Sequence, residues 1–576
     1  MKAFLRFLAA LNAWLFVFSF GSMAQVERFI GNETMTYEEL ITAYQELDKK
    51  YEEATLLEVG QSDVGLPIHV LLIDGEGAKS PETIRADKPV WMINNGIHPG
   101  EPCGVDASYR FARFLLEGRL EGISIDSISI AIIPMYNVGG ALNRGCCSRA
   151  NQNGPLAYGF RGNARNLDLN RDFVKCDAQN TAAFIAAFQR LQPDVLVDTH
   201  TSNGADYQYT MTLITTQPDK LGGALGDYVR NVFDPNLHHA MDQKGWKMSP
   251  YVNTHGTTPE EGIVGFLETP RYCTGYAALF GTIGFTTEAH MLKPFEDRVE
   301  STFAFLCSMG EFLSARGRDV HAQRLKWMQE LQLASSLPVR WILDDSRVDT
   351  LTFDGYRASH PPSEVTGAPR LKYNRAEPFS CQITYKNSYV SDRQVVVPEF
   401  YIIPQAWREV IALLELNGVQ LERFPGPKQL DVETYVLDEV KFGTRPYEGH
   451  FLHTLNGWHL EQRTVQIQKG DVLVKTNQPA KRFIVEILEP MADDALFRWN
   501  YFDSVLQQKE WYSDYVFEDT AADMLKEQPD LKRRFEEKKA NDSAFATNPE
   551  AQLYWLYTQS DHFEPSVNRY PIFRYK

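Results

Sequence analysis

A chain of 576 residues with 43% hydrophobic and 23% charged residues, 34 Phe and 26 Tyr has ample material for more than one core. Its composition excludes a globally disordered or fibrous protein, and its length favours two domains or one large domain with an appended module. With 58 Lys and Arg against 75 Asp and Glu, the net charge of −17 disfavours phosphate backbones and anionic lipid surfaces, so no nucleic-acid partner is expected.

The N-terminus reads as a signal peptide. Lys2 and Arg6 flank the start of an apolar run to Phe20, and Ser22-Met23-Ala24 offers a small-x-small site for cleavage after Ala24. This run is short for a bilayer span, and no later segment approaches the ~20 uninterrupted apolar residues that a crossing helix needs. Export to a periplasm or the medium is expected, with no stable membrane insertion after cleavage. Seven Cys, an odd number and few for this length, make no disulfide scaffold, and the adjacent Cys146 and Cys147 cannot be given partners.

A helix is predicted over 37–51, followed by LLEVGQSDVGLPIHVLLI, a hairpin broken at Gly60 and Gly65. Short apolar runs at 90–93, 128–135, 195–197 and 283–286 then alternate with helical segments at 105–117, 178–191 and 295–313. That rhythm predicts an α/β domain around a mixed central sheet flanked by helices. Residues 317–338 read as a helical exit and linker. After them FSCQITYKN, RQVVVPEFYIIP, RTVQIQKGDVLVKT and KRFIVEIL read as strands, interrupted by one helix at 405–416 that stops at Asn417-Gly418. From FRWNYFDSVLQQKEWYSDYVF onward the chain reads as helical again.

In VWMINNGIHPGEPCG an apolar strand runs into a loop holding His98 and, three positions on, Glu101. Imidazole nitrogen and carboxylate oxygen both suit zinc, and a catalytic site commonly uses three protein ligands. By itself the pair is a weak signal, and a polar loop with a solvated Glu is the better reading of it. VLVDTHTSNG adds His200 straight after a second apolar strand, and GTIGFTTEAH adds Glu288 after another. All four therefore fall at strand ends, where loops over an open α/β sheet converge on a crevice. Between them, YGFRGNARNLDLNRDF supplies Arg161, Arg165, Asn170 and Arg171, whose guanidinium and amide groups suit a carboxylate, although loop arginines are usually solvated. His238, His239, His255, His290 and Cys103 lack a matching ligand pattern and read as structural.

Taken in order, His98-Pro99-Gly100-Glu101, Asn170-Arg171, His200 and Glu288 resemble the zinc carboxypeptidase family of the carboxypeptidase A and B type, over roughly 37–313. The resemblance implies one zinc ion bound by His98, Glu101 and His200, with Glu288 as general base. It implies a peptide substrate whose free C-terminal carboxylate is held by Asn170 and Arg171, and Asp168 orienting His98 through its second ring nitrogen. The family's oxyanion arginine is placed at Arg161, with Arg165 and Arg144 competing. Its substrate-contacting tyrosine is placed at Tyr276 in preference to Tyr272, and Arg271 could add a carboxylate contact.

The resulting organisation is a signal peptide at 1–24, a catalytic domain at 25–316, the exit and linker at 317–338, a β-rich accessory domain at 339–490 and a helical region at 491–576. A related zinc deacylase of N-acyl amino acids shares most of the motif, and a cell-wall peptide-trimming amidase is a further alternative. An inactive metal-binding protein whose second domain binds wall or matrix material is another reading, weakened because every core position is present. Export and the long catalytic segment favour a peptidase.

Overall fold

The computed structural model describes residues 28–576; the expected signal peptide, 1–24, lies outside them. The first strands are β1 (Ala54–Gln61), β2 (Pro67–Ile73), β3 (Val90–Asn95), β4 (Ser129–Ile133), β5 (Val195–Ser202), β6 (Met211–Thr215), β7 (Met248–Pro250), β8 (Ile263–Val264) and β9 (Ile283–His290). All but β8 form one mixed sheet in the order β1-β2-β4-β3-β5-β9-β6-β7. Its centre, β4-β3-β5-β9, is parallel, and β3, β4 and β5 are buried from end to end. Burial on both sides is why these strands read as continuous apolar runs rather than alternating ones. At the edge β1 and β2 form the expected hairpin, with a register shift at Gly60.

The sheet is flanked by α1 (Tyr37–Lys50), α2 (Cys103–Leu116), α3 (Gln179–Leu191) and α4 (Phe295–Leu333). Thr36 and Glu39 form a capping box at the start of α1, which carries Glu38 and Glu39 in its first turn and Lys49 and Lys50 in its last, matching both ends of the helix dipole. The helix expected over 295–313 continues as α4 to Leu333. Gly317, Val320, Arg324, Trp327 and Leu331 are buried at alternating spacings of three and four, so one helical stripe carries the chain through the segment that read as an exit.

The C-terminal region is rich in strands: β10 (Ser336–Leu343), β11 (Asp349–Ser359), β12 (Lys372–Lys386), β13 (Tyr389–Val396), β14 (Phe400–Ile403), β15 (Glu422–Arg423), β16 (Lys428–Phe442), β17 (His453–Ile467), β18 (Val472–Lys475) and β19 (Phe573–Tyr575). β10 pairs with β13, and a second sheet has the order β15-β18-β14-β19-β16-β17. β8 leaves the N-terminal region to pair with β12. The main hydrophobic core is likewise continuous, from Trp91 and Phe285 to Phe483 and Trp499. The fold is thus α/β around a mixed sheet, with a β-rich C-terminal region and terminal helices.

Two expected elements differ. KRFIVEIL, read as a strand, is a helix at Lys481–Leu488, and all eight of its residues are buried. An apolar run enclosed on every side shows neither period, so alternation cannot separate the two states. The aromatic stretch after 497, read as helical, contains only a short turn at Asp503–Leu506 before a helix begins at Asp514. Asn500 has φ +56°, and Phe497, Trp499 and Phe502 are spent in the main core. Helices at Asp514–Glu527, Pro529–Asn541, Ser543–Ala546 and Pro549–Tyr557 then pack around a core of their own that includes Phe517, Leu531 and Phe535. Cys146 and Cys147 are joined to each other by a disulfide. Among the described residues no helix is long and apolar enough to cross a membrane.

Candidate active site

β3 ends at Asn95, and Gly96 at φ +70° turns the chain out of the sheet; a Cβ there would meet Met135 Sδ at 2.5 Å. The turn delivers His98 and Glu101 beyond the C-terminal end of β3. α2 follows at once, pressed so close to β5 that a Cβ on Gly104 would lie 2.0 Å from Thr199 Oγ1. β5 carries Asp198 and His200 on one face by its two-residue alternation. In the parallel register of β5 with β9, Glu288 lies beside His200.

Three buried side chains meet there. His98 Nδ1 is 3.3 Å from Glu101 Oε1, His200 Nδ1 is 3.2 Å from Glu101 Oε2, and the potential ligand atoms of all three lie within 4.8 Å of one another. Both rings turn Nε2 away from the centre, His98 to Asp168 Oδ1 at 2.9 Å and His200 to Asp198 Oδ2 at 2.8 Å. An ionised carboxylate only accepts, so each Nε2 donates a hydrogen to the aspartate behind it, while each Nδ1 faces Glu101 and, in the neutral ring, offers its lone pair toward the centre of the cluster. Thr201 N–H donates to Glu101 Oε2 at 2.8 Å. Burial opposes charge on Glu101, yet Arg149 and His98 hold its carboxyl well below the usual range. Asp168 shows the same balance, with burial outweighed by His98 and Arg161. Two imidazole lone pairs and a carboxylate, with both rings oriented from behind by carboxylates, form a donor set that fits a three-ligand zinc site.

A cavity of about 510 Å³ opens over this cluster. Glu288 lines it but is ringed by protein; desolvation pushes its carboxyl up to about 8, with His200 opposing and Glu101 adding. Asn170 and Arg171 form part of the wall. Asn170 Oδ1 accepts from Cys273 N–H at 3.0 Å, which fixes the amide, and the Arg171 guanidinium lies 4.4 Å from the Tyr272 ring centroid. Arg161 grips Asp168 Oδ2 through Nε and Nη2 at 3.0 and 2.9 Å, while its Nη1 reaches Glu101 Oε1 at 3.4 Å. Its side chain keeps 44% of its surface exposed.

A family model described as zinc carboxypeptidase matches residues 40–195, the stretch that holds His98, Glu101, Asp168, Asn170 and Arg171. That stretch is a zinc carboxypeptidase domain. The protein is a hydrolase, a metallocarboxypeptidase. The chain is similar to "Probable carboxypeptidase 2" of Arthroderma benhamiae, 22% identical over 529 residues that cover 86% of this chain and 84% of the relative. It is also similar to "Carboxypeptidase 2" of Trichophyton tonsurans, 22% identical over 434 residues covering 70% and 71%. Among solved structures, carboxypeptidase A from Helicoverpa armigera matches 51% of this chain and 75% of its own at 17% identity and a TM-score of 0.39. A metallo-carboxypeptidase from Burkholderia cenocepacia matches 48% and 68% at 16% identity and a TM-score of 0.34.

Of the three arginines considered for the oxyanion, only Arg161 reaches the cluster of this metallocarboxypeptidase. Arg144 donates to the Thr34 and Met35 carbonyls at 2.8 and 3.3 Å, and Arg165 to the Asp177 carbonyl. The structure does not bring Tyr276 to the cavity. Its ring is fully buried against Phe173, Phe188 and Phe280, and its hydroxyl donates to Asn417 Oδ1 at 2.8 Å, so the packing that holds it also removes it from substrate. The tyrosines that line the cavity are Tyr251 and Tyr272.

Arg271 is also absent from the cavity wall. It is bound to Asp494 at 2.6 Å and packed over Trp499, with side-chain exposures of 12% for Arg271 and 0% for Asp494. Arg271→Ala would strand a buried carboxylate. We expect it to cost about 3–5 kcal/mol in chemical denaturation, as breaking one side of a buried pair does.

Sequence reasoning missed three groups. Asp198 stands two positions before His200, so strand alternation could have found it as the carboxylate behind that ring. Arg149, whose Nη1 donates to Glu101 Oε1 at 2.8 Å, lies in an irregular polar loop with no distinguishing signal. Glu268 lines the cavity with an unpartnered Oε2; burial and neighbouring Asp198 push its carboxyl up to about 8.

Proposed function

We propose that this metallocarboxypeptidase removes single C-terminal residues from peptides, using one zinc ion and Glu288. The observation that carries this reading is the convergence of His98, Glu101, His200, Glu288, Asn170 and Arg171 on one cavity. His98 Nδ1, Glu101 and His200 Nδ1 would hold the ion, which supplies Lewis acidity toward carbonyl and water oxygens. Glu288 takes the proton of the attacking water and returns it to the leaving amine. Arg161 Nη1 offers its hydrogens to the oxygen on which negative charge grows. Asn170 and Arg171 grip the free C-terminal carboxylate, which sets cleavage at the last peptide bond.

The export reading rests on Lys2, Arg6 and the apolar run that follows. The organisation proposed with these roles is a catalytic domain at 25–316, an accessory domain at 339–490 and a helical region at 491–576, with α4 rather than a loose linker filling most of 317–338. A panel of peptides ending in free carboxylate or primary amide, run beside N-acyl amino acids, tests the substrate class. Shortening of the free-carboxylate peptides by one residue at a time is the expected result. Turnover of N-acyl amino acids alone would refute it.

A further inference from the structure

The turn between β16 and β17 crosses from the C-terminal region to the back of the carboxylate-binding segment. Its tip is tight: Tyr447 and His450 exchange backbone hydrogen bonds at 2.7 and 3.1 Å across Glu448-Gly449, both with positive φ. This left-handed pair matches the handed twist of the two long strands and fixes the direction in which Tyr447 and Glu448 point. Tyr447 OH accepts from Arg171 Nε at 3.1 Å, and Glu448 Oε2 accepts from Asp168 N–H at 2.7 Å. A third contact, His450 Nε2 to Asp177 Oδ2 at 2.8 Å, secures the turn. None of these three residues lines the cavity.

The consequences fall on Arg171. Its Nη1 donates to the Asn170 carbonyl at 2.8 Å and its plane lies over Tyr272, so the Tyr447 hydroxyl is the contact that occupies Nε and sets the rotation of the fork. Tyr272 itself follows Arg271, which Asp494 of the C-terminal region holds through backbone N–H and side chain at 2.9 and 2.8 Å. Guanidinium recognition of a carboxylate depends on the orientation of a planar fork. Arg171 is therefore aimed by a group 276 residues away in sequence.

We propose that Tyr447 and Glu448 are positioning residues for substrate binding: the C-terminal region sets the geometry of the Asp168-Leu169-Asn170-Arg171 segment that receives the substrate carboxylate. The inference rests on the reading of Arg171 as a carboxylate contact. It gives the accessory region a part in the reaction beyond stabilising the fold.

The test uses the full-length, zinc-loaded enzyme and one peptide in free-carboxylate and amide forms. Tyr447→Phe keeps the ring against Arg271 and removes only the hydroxyl. Its KM for the free-carboxylate peptide is expected to rise about tenfold, the scale of one hydrogen bond to a charged group, with kcat within about twofold, since ground state and transition state use the carboxylate alike. Glu448→Ala is expected to raise KM in the same way, and Glu448→Gln, which keeps an acceptor for Asp168 N–H, to restore it. Arg171→Ala supplies the control. If that variant keeps the parent's preference for free carboxylate over amide, the assignment of Arg171 fails. If it loses the preference while Tyr447→Phe and Glu448→Ala keep the parent KM, or show only a lower melting temperature, the positioning role is overturned.

Discussion

Glu288→Gln is expected to keep the parent's zinc content and to lose turnover by about 10²–10⁴-fold, the range that a positioned acid–base group contributes. The side chain sits beside His200 through the β5–β9 register, close to the three ligand candidates but outside their mutual cluster. An amide of the same shape preserves packing and the metal site but accepts no proton from water. The pH profile gives an independent check. A base works when unprotonated, so kcat/KM rises as pH rises through the carboxyl's pKa. Desolvation pushes that value up to about 8, and Glu101 adds to it; a cation held by Glu101 and the two histidines would draw it back down. The acid limb is therefore expected below about 8 and should vanish from the residual activity of the Gln variant. Metal analysis and the profile together separate loss of the base from loss of the ion, and near-parent turnover in Glu288→Gln would rule out the mechanism.

The parts of this molecule that could be read in advance are those in which local sequence and fold agree. Buried parallel strands announce themselves as apolar runs, and His98 just beyond β3, with His200 and Glu288 near the C-terminal ends of β5 and β9, inherit a common location from the topology alone. What stayed hidden depends on the partner rather than on the residue. KRFIVEIL could satisfy its burial as strand or helix, and only its enclosure by the core decided. Tyr276 and Tyr272 are four positions apart, and the short helix Cys273–Ala277 turns the first into an aromatic core and leaves the second at the cavity. Arg271 looked like a substrate contact because nothing near it in sequence hints at Asp494, 223 residues away. Tyr447 was invisible for the same reason: its meaning lies in Arg171. Long-range polar contacts carry no period and no motif.

Removing the metal should be more damaging still. Treatment with a chelator is expected to abolish peptide cleavage, and added zinc to restore it. In His200→Ala, zinc should fail to restore activity because one of three donors is gone and Glu101 has lost the ring that faces its Oε2 at 3.2 Å. The groups behind the ligands make the prediction graded. Asp198→Asn leaves all three donors but replaces the acceptor of the His200 Nε2 hydrogen with an amide that can present either end. Such a change behind a ligand typically costs about 10–100-fold in metal affinity or activity. The expected order of zinc affinity is parent, then Asp198→Asn, then His200→Ala, measured as metal retained after dialysis against competing chelator, which reads the site without reference to turnover. Equal retention across all three would mean that the ion is held elsewhere. The ordered series would tie it to His200 and to the carboxylate two residues before it on β5, where strand alternation puts both side chains on one face.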